Sequence, residues 1–409
     1  MKWNTRRLAE VADFCLGKML DEKKNKGELL PYLANINVRW GEFDLQNLRE
    51  MRFEHDELER YGLKHGDIVM CEGGEPGRCA LWRDTVPGMM IQKAIHRIRP
   101  HDCLDQRFLF YSLLYKGKTG SFSPLFTGAT IKHLPRQNLA KIEIAFPQIE
   151  IQRRIADILS AYDDLIENNR RRMVLLQEAA RQLYLEWFVR LRFPGHEHTA
   201  IIDGLPNGWR WKHLHTLCAE GDGIQTGPFG SQLHQSDYSE EGVPVVMPKD
   251  IVGFRIVAES AARISDDLAD KLGRHRMAEG DIVYGRRGDI GRRAFIGKRQ
   301  TGWFCGTGCL RIRPNPSLID SRYLFEALGA PETSGTIANR AKGATMLNLN
   351  GALLRSVPVL VPTRLLQDHY ATLVEPGSEL CGVLADQNQK LRAARDLLLP
   401  RLMSGEIAV

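Results

Sequence analysis

Gly66-Asp67-Ile68-Val69 stands once in the first half of the chain and again as Gly280-Asp281-Ile282-Val283, a displacement of 281 − 67 = 214 residues. The correspondence runs on without a gap. Gly74, Gly77, Arg78 and Ala80 fall on Gly288, Gly291, Arg292 and Ala294; Gly88 falls on Gly302; and Arg97-Ile98-Arg99-Pro100 falls on Arg311-Ile312-Arg313-Pro314. Of the 35 positions from 66 to 100, 13 are identical, too many for coincidence, so the chain is a tandem duplication. One inserted residue then shifts the displacement to 215: Gly128-Ala129-Thr130 meets Gly343-Ala344-Thr345, Pro147 meets Pro362, and Gln152 meets Gln367. The starts correspond too, since Trp3 precedes Leu8 by the same interval as Trp209 precedes Leu214. A period of roughly 200 residues is far too long for a solenoid repeat. It predicts two related domains about a pseudo-twofold axis, which suits a chain of 409 residues, too long for one ordinary core.

Each half has the same internal order. Short β-type runs punctuated by glycine come first: Asp67-Ile68-Val69-Met70 and Ala80-Leu81-Trp82, then Asp281-Ile282-Val283-Tyr284 and Ala294-Phe295-Ile296. A strand-like run follows, Ile142 to Pro147 or Val357 to Pro362, where proline ends the strand and a long helical pattern begins. Ile151, Ile155, Ile158, Tyr162, Leu165, Asn169, Arg172 and Leu176 recur in threes and fours, as do Tyr370, Leu373, Gly377, Leu380, Leu384, Gln387, Leu391, Ala394 and Leu398. That spacing predicts a coiled-coil seam, with Asn169, Arg172 and Gln387 as polar register-setting positions. Helices of about 40 residues would be about 60 Å long and call for a partner. The expectation is therefore α+β: two mixed α/β domains, residues 1–147 and 195–362, with helical spacers 148–194 and 363–409 pairing as an antiparallel coiled coil.

The bulk composition narrows the class without deciding it. Charged residues make up 26% and hydrophobic residues 43%, the balance of a soluble globular chain. The net charge of +6 permits a nucleic-acid partner without requiring one. No apolar run reaches the roughly 20 residues of a membrane span, and Met1-Lys2-Trp3-Asn4 does not open a signal peptide, so a cytoplasmic protein with reduced cysteines is expected. Of the eight cysteines only Cys305 and Cys309 lie close together, and no second pair completes a zinc site.

The candidate chemistry sits at the duplicated hairpins. A glycine-rich tip tolerates positive φ and lets the backbone approach a partner. Arg78 lies beside the first tip, and Arg286, Arg287, Arg292 and Arg293 crowd the second. Arginine forks onto guanine edges and pairs with phosphates, so this placement points to DNA. Lys132 and His133 follow Gly128-Ala129-Thr130, and Lys342 precedes Gly343-Ala344-Thr345, where backbone amides and a hydroxyl suit a phosphate. Each short segment reads equally well as a plain turn. Gly227-Pro228-Phe229-Gly230-Ser231 is a rigid loop to which local sequence assigns no function.

Catalytic signatures are missing from the sequence. Gly117-Lys118-Thr119 has Ser112 where a phosphate loop needs its first glycine; Asn315-Pro316-Ser317 is not an adenine-methyltransferase motif; and His196-Glu197-His198 lacks a third ligand. Neither half supplies paired carboxylates with a lysine for a nuclease.

Taken together, these features resemble the specificity subunits of type I restriction–modification systems. The resemblance rests on the duplicated unit, on Pro147-x4-Gln152-x2-Arg154-Ile155-Ala156-x-Ile158-Leu159, on Leu183-Tyr184-Leu185-Glu186-Trp187-Phe188, and on the ending Leu398-Leu399-Pro400-Arg401-Leu402-Met403-Ser404-Gly405-Glu406-Ile407. Asp368-His369-Tyr370 departs from the basic and isoleucine positions of the first helix start. The resemblance implies two target-recognition domains reading a bipartite double-stranded DNA site, helices acting as spacer, and docking of two methyltransferase subunits. Those partners would supply S-adenosylmethionine chemistry on adenine, and a motor and nuclease subunit using ATP and Mg would add cutting; this chain itself would carry no cofactor, no metal and no catalytic residue. A coiled-coil scaffold without DNA reading is the alternative, and a self-contained methyltransferase or nuclease a further one.

Overall fold

Asp67 and Asp281 lie at equivalent places in two sheets of identical construction. The structure, a computed structural model, describes residues 3–21, 25–45, 48–221, 223–229, 232–257, 261–286, 291–340 and 349–409. Two compact units emerge: Met1–Asn169 together with Ala385–Val409, and Arg170–Leu384.

In the first unit a four-stranded antiparallel sheet has the spatial order Ala12–Leu16, Ile95–Pro100, Ile68–Cys71, Cys79–Leu81. In the second unit the order is Ile224–Thr226, Cys309–Ile312, Ile282–Gly285, Arg293–Phe295. The register is also the same. Ile68 pairs with Leu81 and Ile98, and Ile282 pairs with Phe295 and Ile312, every partner displaced by 214. The one-residue slip that would turn core side chains outward has occurred in neither copy.

A smaller sheet completes each unit. In the first, Glu28–Leu33 pairs antiparallel with Arg49–Phe53 and parallel with Met90–Ile91. In the second, Val243–Val246 pairs antiparallel with Ala262–Ile264 and parallel with Phe304–Cys305. The predicted closing strands are present as Glu143–Phe146, paired with Asn4–Arg7, and Pro358–Val361, paired with Arg210–His213.

The proline-to-helix transition is built by one glutamine in each copy. Gln152 Nε2 donates to the Pro147 carbonyl at 2.9 Å, and its Oε1 accepts from the Asp105 amide at 2.9 Å. Asp105 in turn caps helix Gln106–Lys118 by accepting from the Arg107 and Phe108 amides. Gln367, Pro362 and Asp320 repeat the arrangement, with Asp320 capping helix Ser321–Ala327. The shared glutamine thus fixes the angle at which each long helix leaves its domain.

Those long helices are Ile149–Tyr184 and Arg364–Met403. They pair antiparallel within each unit. In the first, Asn169 meets Asn388 and Asp163 meets Arg395; in the second, the Cys381 thiol donates to the Met173 carbonyl and the Tyr370 hydroxyl to the Ala180 carbonyl. The seam differs in detail from the predicted one. Asn169 is buried, but Met173 and Asn388 are buried in place of Arg172 and Gln387, and Ile158, Leu165 and Leu373 face outward. An apolar side chain spaced at three or four fits two adjacent stripes of a helix, and residue type alone does not say which stripe is covered.

The cores are separate. Ile68, Met70 and Ile98 pack with Leu109, Leu113, Ile155, Leu159 and Leu402 in the first unit. In the second, Ile282, Tyr284 and Ile312 pack with Tyr184, Phe188, Tyr323 and Tyr370. Cys305 and Cys309 belong to a further buried apolar cluster, where burial pushes the Cys305 thiol up to about 12. Among the described residues no helix is long and apolar enough to cross a membrane.

Candidate nucleic-acid interface

In the first unit the hairpin tip and the Gly128-Ala129-Thr130 loop, 51 residues apart from Gly77 to Gly128, lie side by side. Gly74 and Gly77 both take positive φ, +83° and +88°, which the tight tip requires. The Leu134 amide donates to the Glu72 carbonyl at 2.8 Å, Gly73 forms a bridge with His133, and His133 Nδ1 lies 3.4 Å from Glu72 Oε2. His133 and Thr127 exchange two backbone hydrogen bonds, closing the Gly128 loop. Lys132, at its outer end, is exposed.

Arg78 does not project from the tip as its place in the sequence predicts. Its Nη2 donates to the Asn35 carbonyl at 2.7 Å and its Nη1 to Glu75 Oε2 at 2.8 Å, so it braces the tip from beneath. Trp40 Nε1 donates to the other Glu75 oxygen.

The second unit repeats the frame with different side chains. The Arg286 amide donates to the Gly308 carbonyl, and the Arg286 carbonyl accepts from the Leu349 amide at 2.8 Å. Glu72 makes the same two backbone bonds with Ala94 and Leu134. Arg286 is therefore the counterpart of Glu72, an opposite charge on one shared backbone position.

The predicted arginine cluster divides. Arg292 is exposed and touches the Pro248 carbonyl. Arg286 is buried, its guanidinium 5.7 Å from the Phe229 ring centroid. Arg293 is built into the core. It lies on strand Arg293–Phe295, donates from Nε to the Phe325 carbonyl at 2.8 Å, sits over the Phe254 and Phe325 rings and lies 3.9 Å from Glu326. Burial drives its pKa down and that of Glu326 up. Arg287, Lys342 and the Gly343-Ala344-Thr345 segment lie outside the described residues.

Residues 1–177 match the family described as the type I restriction modification DNA specificity domain. Over 100% of this chain and 94% of the relative, the sequence is 23% identical to the type I restriction enzyme MjaIX specificity subunit of Methanocaldococcus jannaschii. The MjaVIII specificity subunit of the same organism is 22% identical over 100% of this chain and 93% of its own. Along its whole length the chain is thus similar to type I specificity subunits. The fold agrees: the crystal structure of the type I restriction-modification system S subunit from M. genitalium superposes with a TM-score of 0.54 over 98% of this chain and 96% of that one, at 18% identity.

In each unit, sequence reading missed the buried charge pair at the end of the hairpin opposite its tip. Arg99 forks onto Asp67 and Arg313 onto Asp281, while both aspartates also accept a backbone amide, from Lys64 and from Ala278, at 2.7 Å. The identities of Asp67, Arg99, Asp281 and Arg313 were the available signal, since a duplicated acid and base 32 residues apart form a natural pair.

Proposed function

We propose that this chain reads DNA sequence for a type I restriction–modification complex and has no reaction of its own. One observation carries the reading: two sheets of identical order and register share one backbone frame, which in the first unit ties a glycine-rich tip to a second loop, and the two units place different side chains on it. Two such readers joined in one chain recognise a split site, because the second contact becomes intramolecular once the first is made. The two surfaces read different half-sites because positions such as Glu72 and Arg286 differ.

Accessible Lys132, His133 and Arg292 make the DNA contacts in this proposal, together with Arg287 and Lys342. Arg78, Arg286 and Arg293 act beneath them by holding the tips in shape. The long helices space the two readers and dock two methyltransferase subunits, which use S-adenosylmethionine on adenine. A motor and nuclease subunit using ATP and Mg joins them for restriction, in the cytoplasm. Exposed apolar residues on the helices, Leu165, Val174, Leu175 and Val383, support the docking role.

The test is to co-express the chain with the methyltransferase encoded beside it and map modified adenines across the host genome. A split motif with a fixed gap, lost on deletion of this chain, is the expected result. Methylation that does not depend on the chain would overturn it and favour the scaffold.

A further inference from the structure

Phe229 is 53% exposed although the backbone just before it is tightly fixed. The Gly227 amide donates to the Cys309 carbonyl at 3.0 Å, and a Cβ on Gly227 would lie 1.9 Å from the Gly306 oxygen. No other residue fits there without moving the strand. Pro228 is buried behind it. The Phe229 ring then emerges with the Arg286 guanidinium over it.

A single exposed aromatic needs no explanation. Its recurrence does. In the first unit the Gly17 amide donates to the Ile95 carbonyl at 3.0 Å, and 95 and 309 are equivalent positions, so Gly17 is the counterpart of Gly227. A Cβ on Gly17 would meet the Gln92 oxygen at 2.5 Å, as Gly227 meets that of Gly306. Two residues on, where the second unit has Phe229, the first has Met19, and it is 56% exposed. The buried residue between differs completely: Lys18, paired with Glu57, replaces Pro228. One position in each unit thus carries a large apolar side chain held out on a rigid stem, with a different residue in each copy.

We propose that Phe229 and Met19 are apolar base contacts, one per reader, that set specificity at one or two base pairs of each half-site. The inference rests on the DNA-reading function. Unbranched methionine and flat phenylalanine are both able to cover a thymine methyl or press against a base step, which charged side chains at the rim cannot do. Arg286 fixes the ring's orientation in the second unit, so Phe229 enters pre-organised.

The test uses the full chain assembled with its methyltransferase. S-Adenosylmethionine-dependent methylation is measured on the cognate duplex and on duplexes substituted singly at each base pair of both half-sites. F229A is expected to lower discrimination by about 10-fold at one or two adjacent base pairs of one half-site, leaving the other half-site unchanged. M19A is expected to do the same in the other half-site. F229L, which keeps an apolar side chain, should retain part of the selectivity and guards against a folding artefact, as does an unchanged melting temperature of F229A. Deoxyuridine in place of thymidine at the affected position tells the two forms of contact apart: sensitivity in the native chain assigns the methyl group, insensitivity the base step. Unchanged discrimination by F229A at every position, or a uniform loss at all of them, overturns the proposal. Native protein that discriminates at no position would instead sink the DNA-reading function itself.

Discussion

Arg99 meets Asp67 through two parallel hydrogen bonds, Nε and Nη2 each 2.7 Å from a carboxylate oxygen. The aspartate is buried, 1% exposed, while the arginine stays partly in water. Removing the two partners should therefore cost different amounts. Arg99→Ala leaves a carboxylate buried with only a backbone amide to satisfy it, whereas Asp67→Ala leaves a guanidinium that water can reach. We expect about 3 kcal/mol of destabilisation from the first and about 2 from the second, with the double variant well short of the sum. Urea unfolding followed by tryptophan fluorescence measures all three, and strictly additive losses would show that the pair is not coupled.

Neighbouring Arg292 and Arg293 should fail in different ways. Arg292→Ala removes an exposed charge, so it should leave the unfolding midpoint unchanged while weakening DNA binding and lowering its salt slope by about one. Arg293→Ala removes a buried cation from beside Glu326 and two aromatic rings, and should cost about 3 kcal/mol in stability. Calorimetry and a salt titration of DNA binding separate the two; equal melting temperatures for both variants would contradict the burial of Arg293.

That division explains how far the sequence could be read. The duplicated Gly-Asp-Ile-Val run located both hairpins and their register, because glycine positions and alternating apolar residues are local consequences of the backbone they serve. Pro147 and Gln152 marked the helix start for the same reason. Where an arginine side chain goes is not local. Arg78 and Arg293 turn inward because Asn35 and Phe325, 43 and 32 residues away in sequence, offer carbonyls there. Phe229 was unreadable because its exposure depends on the Gly306 carbonyl behind Gly227. The helix seam slipped by one residue at Arg172 and Gln387 because leucines that face outward share the spacing of those that face in.

Asn169 and Asn388 form a closed polar pair inside the helix seam. Asn169 Nδ2 donates to Asn388 Oδ1 at 2.9 Å and to Gln387 Oε1 at 3.1 Å, and Asn388 Nδ2 donates to the Ile166 carbonyl. Either asparagine changed alone to leucine should cost about 2 kcal/mol by taking one hydrogen bond from its buried partner. The double leucine variant should recover most of that loss, since a matched apolar pair leaves nothing unpaired. Thermal unfolding of the three variants decides it. A double variant no better than the single ones would mean that the seam cannot accept leucine at this layer.

Acid should act in opposite directions on Asp396 and Glu326. Burial raises the Asp396 pKa, but the Lys118 hydrogen bond and Arg395 outweigh it, and the carboxyl sits below its ordinary value. Its contribution is therefore complete at neutral pH and is lost as pH falls below about 4 toward the folded-state pKa. Glu326 is the reverse case: burial dominates over Arg293 and raises its pKa. What it contributes is present below about 4, the ordinary glutamate range, and is lost as pH rises through the folded-state value. The advantage of native protein over Asp396→Asn should thus shrink as pH is lowered, and its advantage over Glu326→Gln should shrink as pH is raised. Denaturant unfolding between pH 3 and pH 8 gives both difference curves. Slopes of the same sign would show that one of these carboxylates is held by forces other than the Lys118 bond or burial beside Arg293.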